Sequence, residues 1–488
     1  MSAPVTAPPG PVRPGPPAPD PLRWWALAVI AAAQLTVLLD GTIVNIALPS
    51  AQRDLGLGDG SRQWIVTAYT LALGGLLLLG GRVVDVVGRK RAFVTGLIGF
   101  AAASALGGAA TVPAALLAAR AAQGAFAALL TPAAISLVVA TFTEPGERGR
   151  AFGVLGAISG AGSAGGLIAG GLLTEYLDWR WCMYVNVPIA LAAVAAGLRV
   201  LRDPGGRGPV RLDVPGALLG CGGLTVLVLG FARAEDSGWT SLPVGAAFAA
   251  GAVLLALFAL RQTRAAHPLV PPRLVRDRAR AGALAVAALG MVGVFGLLLF
   301  LTYYLQVVRG DSAVAAGVSI LPLTVGMTAG VMLGARLAGR LAPCRTVVPG
   351  LLVAAAGVAL LALVDTGSSY PAQVLPALLL AGLGMGSTSM TCMVVATAMV
   401  APADSGAASA LYTTAQQIGG SVGTAVLNTV AAEAAARHLA AGADRAQSTV
   451  YGFTTALWGV AVLLVLTALG TGLLVGGPLR RTAAARTP

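Results

Sequence analysis

Between residues 24 and 477 the chain is almost continuously apolar, broken only at short intervals. Cutting at charges, prolines and glycine clusters leaves fourteen apolar segments: 24–49, 63–82, 91–111, 113–142, 149–173, 181–200, 213–232, 241–261, 281–308, 313–340, 345–365, 371–400, 404–432 and 451–477. About 20 apolar residues rising 1.5 Å each cross the hydrocarbon layer of a bilayer. A backbone in lipid must satisfy its own polar groups, and apolar runs of this length do so as helices. Only 10% of the residues are charged, against about a quarter in soluble domains. The expected fold class is therefore an all-α integral membrane protein.

The positive charges give a topology. With the N-terminus in the cytoplasm, 24 of the 32 lysines and arginines fall in inner segments and seven in outer ones, with Arg120 left inside a span. That bias follows the positive-inside rule. It also turns the net charge of +13 toward the anionic inner leaflet, not toward nucleic acid. Both termini are then cytoplasmic. Residues 1–22 are Pro-rich and without an apolar run, and read as a disordered cytoplasmic tail; 479–488 read as a second cytoplasmic tail. Residues 23–202 and 277–478 form two comparable six-helix bundles. Residues 203–276 form a linker with helices 7 and 8. "GGRVVDVVGRKR" (80–91) after helix 2 has a loose echo in "GARLAGRLAPCR" (334–345) after helix 10. Such repeats belong to transporters with a site between the halves. Four scattered cysteines and the histidines His267 and His438, both expected in loops, offer no metal-ligand spacing, so neither metal nor catalytic residues are expected. No G-x-x-x-x-G-K-[ST] loop for ATP is present.

Gly160-Ala161-Gly162-Ser163-Ala164-Gly165 matches G-x-G-x-x-G, but lacks the preceding strand and the acidic residue about 20 positions on that dinucleotide binding needs. The glycines instead recur at helical spacing, with Gly162, Gly166 and Gly170 four apart and Gly165 beside them. Smooth strips of this kind let membrane helices approach closely. They serve as static packing or as a face that slides during a conformational change.

Two charges lie deep in spans: Asp40 and Arg120. Counted from Pro49 and Pro113, taken as the outer ends of helices 1 and 4, they sit at similar depth, so they can pair. An intramembrane charge is costly and points to function, the alternative being a purely structural pair. A carboxyl whose water access changes also changes its proton affinity. Asp40 is thus the candidate proton carrier, or the group that recognises a cationic substrate, tuned by Arg120. Gln34, Asn45, Tyr69, Gln123, Tyr303, Gln306, Gln416 and Gln417 are polar or aromatic groups on apolar helices, suited to a bulky hydrophobic ligand or to interhelical hydrogen bonds. Helices 7 and 8 are expected to hold no buried charge.

Several stretches together resemble the fourteen-helix drug:proton antiporter family of the major facilitator superfamily: "LLDGTIVNIALP" (38–49), "GRVVDVVGRK" (81–90), "RAAQG" (120–124), "WRWCMYVNVP" (179–188), "TYYLQ" (302–306) and "AQQIGGSVGTA" (415–425). Val86 stands where that family usually has Arg, and Gly165-Gly166 where its fifth helix has Gly-Pro. The resemblance implies two six-helix bundles plus two central helices. It implies a cytoplasmic gate at Gly81, Asp85, Gly88, Arg89 and Lys90. It also implies proton-driven efflux of hydrophobic drugs or antibiotics across a bacterial plasma membrane, by a monomer without a cofactor. A narrow exporter of a metabolite, amino acid, siderophore or lipid is the same-fold alternative, and a non-transporting scaffold or sensor the alternative of another class.

Overall fold

The computed structural model describes residues 21–58, 62–142, 144–202, 213–265, 268–270, 272–337, 340–398, 400 and 405–474. The two expected tails, apart from residues 21 and 22, lie outside them. The long elements are helices: α1 (Arg23–Leu55), α2 (Trp64–Val87), α3 (Arg89–Gly108), α4 (Pro113–Thr141), α5 (Pro145–Tyr176), α6 (Trp181–Val200), α7 (Val214–Ser237), α8 (Leu242–Arg264), α9 (Arg278–Val308), α10 (Ala313–Leu337), α11 (Cys344–Leu361), α12 (Tyr370–Thr397), α13 (Ser405–Ala440) and α14 (Arg445–Leu474). Among the described residues, twelve helices are long and apolar enough to cross a membrane. The other two, α5 and α13, are the glycine- and polar-rich ones, 32 and 36 residues long.

Several boundaries differ from the sequence reading by a few residues, and three of them matter for the packing. α1 does not end at Pro49 but runs to Leu55, capped by Gly56 in the left-handed region at φ 65°. Proline removes only the bond to the carbonyl four residues back, and a helix packed among others absorbs that loss. α13 continues past 432 to Ala440, so His438 is helical and stacks on Tyr451 of α14, centroids 4.4 Å apart. α2 passes into α3 through Gly88 alone, at φ 97°, a conformation that side chains other than glycine rarely adopt.

The helices pack as a repeated pattern. α1 packs on α5 and α6, α4 on α2 and α3, and α3 on α6; the same pairs recur eight helices on, as α9 with α13 and α14, α12 with α10 and α11, and α11 with α14. The close pairs are built on glycine. A Cβ on Gly330 would strike the carbonyl of Leu383, and one on Gly382 that of Leu323, so α10 and α12 touch backbone to backbone. Consecutive helices run in alternating directions, which defines a near end, where α1 starts, and a far end. The two six-helix sets meet along two seams, α2–α13 and α5–α10.

α7 and α8 form a hairpin that packs through α7 on both α2 and α13. Leu71, Leu224, Val228 and Ala425 make its apolar contact. At the far end Trp239 donates to Glu433 of α13 (3.1 Å), and Thr429 of α13 donates to the carbonyl of Phe231 (3.1 Å). At the near end Asp213 caps α7 and accepts from Gly216 N (3.1 Å), Arg261 Nε (2.6 Å) and Gln262 Nε2 (3.0 Å). Gln262 in turn accepts from Val270 N (3.0 Å), and Arg82 of α2 donates to the carbonyl of Pro268 (3.3 Å). Burial pushes the Asp213 carboxyl up, but its three donors outweigh burial and hold it below the usual carboxylate range. The expectation that helices 7 and 8 hold no buried charge is thus corrected: Asp213 is buried at the hairpin's edge, which its end-of-segment position and its three donors make possible. Only 11% of the apolar window of α8 is buried, against 61% for α9, so α8 presents its surface to lipid.

Candidate functional site

Asp40 of α1 and Arg120 of α4 are fully buried, 0% and 1% exposed, and joined by a 2.6 Å ion pair. Neither charge is left to stand on the pair alone. Arg120 donates through Nε to the carbonyl of Ile65 on α2 (3.0 Å) and through Nη1 to Gln123 Oε1 (2.9 Å), and its guanidinium lies 4.4 Å from the Tyr69 ring centroid. Asp40 Oδ2 accepts from Arg120. Its Oδ1 accepts from Gln123 Nε2 (3.1 Å) and from Asn186 Nδ2 of α6 (2.8 Å). Gln123 also donates to Ser104 Oγ of α3 (2.7 Å). Groups from α2, α3, α4 and α6 thus join one buried network around the α1 carboxylate inside the first bundle, with α4 and α6 bonding it directly. Buried ions need this many partners, because desolvation otherwise outweighs their attraction.

Local packing fixes the position of α1. A Cβ on Gly166 would collide with Thr42, one on Gly170 would lie 2.9 Å from the carbonyl of Ile43, and one on Gly162 2.9 Å from Leu35. The Gly162, Gly166 and Gly170 strip therefore seats α5 on α1 within one bundle; it is not the face on which the bundles meet. That face uses Gly171 against Val314 and Gly317 against the carbonyl of Leu167. Gly165 and Gly41 face open space, with no atom within 4 Å of an added Cβ. At the start of α6, Trp179 donates to Asp54 (3.1 Å) and Arg180 pairs with it (2.7 Å), so "WRWCMYVN" grips α1 at its far end and again at Asp40.

The other candidates do not form one cluster. Tyr69 and Gln123 belong to the Asp40 network. Asn45 bonds within its own helix, to the carbonyl of Gly41 (2.9 Å), and Gln34 Oε1 is buried without a partner. Tyr303 donates to Gln52 and Gln306 donates to the carbonyl of Ile46 (2.9 Å), so both join α9 to α1 toward the far end. Arg62 lies 4.1 Å over the Tyr303 ring, Glu175 of α5 accepts from Val314 N of α10 (2.9 Å), and Thr70 bonds Ser421 (2.7 Å). These contacts hold the two bundles together in the far half. Gln416 bonds Ser389 and Tyr412 in the second bundle, while Gln417 lies where Gly74 of α2 approaches α13. In the loop stretch, Lys90 donates to the carbonyl of Leu198 at the end of α6 (2.8 Å) and Gly81 lies near Pro132. Gly88 makes the turn and Arg89 opens α3, while the Asp85 side chain lies outside the described residues. Sequence reasoning gave no role to Asn186 or Ser104, since neutral polar residues do not stand out as intramembrane charges do.

Comparison with known proteins bears on this architecture. The family described as Major Facilitator Superfamily matches residues 30–424. The puromycin resistance protein pur8 of Streptomyces alboniger is 54% identical over 459 residues, covering 92% of this chain and 91% of that one. The cephamycin export protein CmcT of Amycolatopsis lactamdurans is 39% identical over 414 residues, 83% and 84% of the two chains. Among solved structures, an auto-inhibited peptide transporter of the POT family superposes with a TM-score of 0.72 at 14% identity, over 96% of this chain and 99% of that one, a likeness of fold.

Proposed function

Because the chain belongs to the major facilitator superfamily, whose matching relatives here are antibiotic resistance and export proteins, we propose that it expels small, largely apolar antibiotics from the cytoplasm in exchange for protons. The likeness to the puromycin resistance protein supports the substrate class. For the coupling, the carrying observation is the fully buried Asp40–Arg120 pair. A proton on Asp40 cancels the charge that three donors address, which loosens α1 from α4. Arg120 keeps its bonds to Ile65 O and Gln123 Oε1, both neutral acceptors, so protonation leaves its charge hydrogen-bonded but without its counter-ion.

In this reading α5 and α13 also span, giving fourteen crossings of a bacterial plasma membrane, with the near end and both termini cytoplasmic. The two bundles rock about the seams, and the far-half contacts open to release substrate. The chain needs no cofactor, does no covalent chemistry and works as a monomer. The open space beside Gly41 and Gly165 supports a substrate path between the bundles. One proton falling through roughly 150 mV releases about 3.5 kcal/mol, enough for roughly a 300-fold gradient of a neutral compound. The test is puromycin uptake into inside-out vesicles under an imposed pH gradient. Wild type accumulates the drug and Asp40→Asn does not. Undiminished pH-driven uptake by the variant overturns the coupling, and no uptake by wild type overturns the substrate class.

A further inference from the structure

The carboxylate of Asp40 is served by donors alone: Arg120 at Oδ2, Gln123 and Asn186 at Oδ1. A protonated carboxyl needs the opposite, an acceptor for its O–H. Of the three side chains that touch it, Arg120 has no acceptor, and Gln123 Oε1 already accepts from Arg120. Asn186 is different. It is 0% exposed, and its carbonyl Oδ1 has no hydrogen-bond partner. A buried acceptor left unmet is costly and asks for a reason.

We propose that Asn186 is a positioning residue that follows the protonation state of Asp40: it donates Nδ2–H to the carboxylate, and, turned over about its terminal torsion, accepts the O–H of the neutral acid at Oδ1. The proposal rests on the reading of Asp40 as the proton carrier. The turn is sterically small, since an amide's O and NH2 occupy nearly the same space and this torsion is broad and two-fold. The proton arrives from hydronium, leaving water, and binds Oδ1 of Asp40; no other covalent bond is made or broken, while the hydrogen bonds from Asn186 Nδ2 and Gln123 Nε2 to that oxygen are given up. Gln123 then keeps its bond to Ser104, and Arg120 keeps its other partners. The titratable and charged groups around Asp40 are Arg120 on α4, Tyr69 on α2 and Cys182 at the start of α6. α3 brings Ser104, and α5 brings glycines against Thr42 and Ile43. The position of Asn186 is set from the same stretch of chain, by Trp179 and Arg180 on Asp54. The amide thus gives either form of the acid one directed bond. Neither form is trapped, as a carrier that must load and unload requires.

The chain has only three asparagines, Asn45, Asn186 and Asn428, which makes the side-chain amide visible. The experiment is pH-difference infrared spectroscopy on the purified full-length protein with 13C in the asparagine side-chain carbonyl. A carboxyl C=O band that titrates in wild type and disappears in Asp40→Asn belongs to Asp40. The expected result is a labelled amide band that shifts with the same midpoint. The shift persists in a chain carrying Asn45→Ser and Asn428→Ser, where Asn186 is the sole asparagine, and is lost in Asn186→Leu. If the Asp40 band titrates while the labelled amide stays still, the role of Asn186 is overturned and the proton-carrier reading stands. If no titrating band depends on Asp40, both fall. The shift in the double serine chain needs no substitution at Asn186, so misfolding of Asn186→Leu does not blur the answer.

Discussion

Arg120 reaches its partners with a planar, multi-donor head: Nε on a backbone carbonyl, Nη1 shared between a carboxylate and an amide, and the flat face on a tyrosine ring. Lysine keeps the charge but not the fork or the stacking. Arg120→Lys should therefore cut pH-driven puromycin uptake at least about tenfold, the equivalent of one lost charge-assisted bond of about 1.5–3 kcal/mol, while membrane insertion is unchanged. Vesicle uptake normalised to protein amount checks this. Asp40 and Arg120 were legible because a charge in a greasy helix is conspicuous. Their depth match was read from Pro49, which is not the end of α1, yet α1 and α4 still bring the pair together. Asn186 was hidden inside a motif quoted for its resemblance alone. Nothing local marks which of several polar residues on neighbouring helices will meet.

Neighbouring glycines on α5 behave oppositely. Gly166→Ala puts a methyl group into Thr42 on α1, whereas Gly165→Ala meets nothing within 4 Å. The first should destabilise by about 1–3 kcal/mol through overpacking. The second should leave stability unchanged or raise it by up to about 1 kcal/mol, since alanine restricts the unfolded chain. Thermal unfolding of the two variants in detergent separates them. The glycine spacing was legible, but not which helix it would seat against, because every smooth strip offers the same invitation. The α7–α8 hairpin gives a pH prediction. Asp213 has a lowered folded pKa, so its contribution is present above the unfolded value, about 3.9, and disappears as pH falls through the folded one. Asp213→Ala should lower the melting temperature by a few degrees at neutral pH, and the difference from wild type should shrink as the pH is taken below about 4. A melting series across pH reads it directly.

For the whole molecule, the described contacts between the bundles gather toward the far end: Tyr303 with Gln52, Gln306 with Ile46, Glu175 with Val314. Tyr303→Phe combined with Gln306→Leu removes two of these and should shift the population toward separation of the far ends. Paired spin labels at residues 58 and 310 should report a longer distance than in wild type, and an unchanged distribution would show that these bonds do not hold the closure. The long helices were legible from the apolar runs, and twelve of them are apolar enough to cross a membrane. The seams were not, since lipid and protein neighbours accept the same residues. The hairpin of α7 and α8 lies along one seam only, clasping α2 at the near end and α13 at the far end. Along α5 and α10, no described helix lies across the join. The protein therefore shows the surrounding membrane two unlike flanks, one shuttered and one bare. On the bare flank the α5–α10 join itself, sealed by the approaches of Gly171 to Val314 and of Gly317 to Leu167, is all that stands between the acyl chains and the bundle interface.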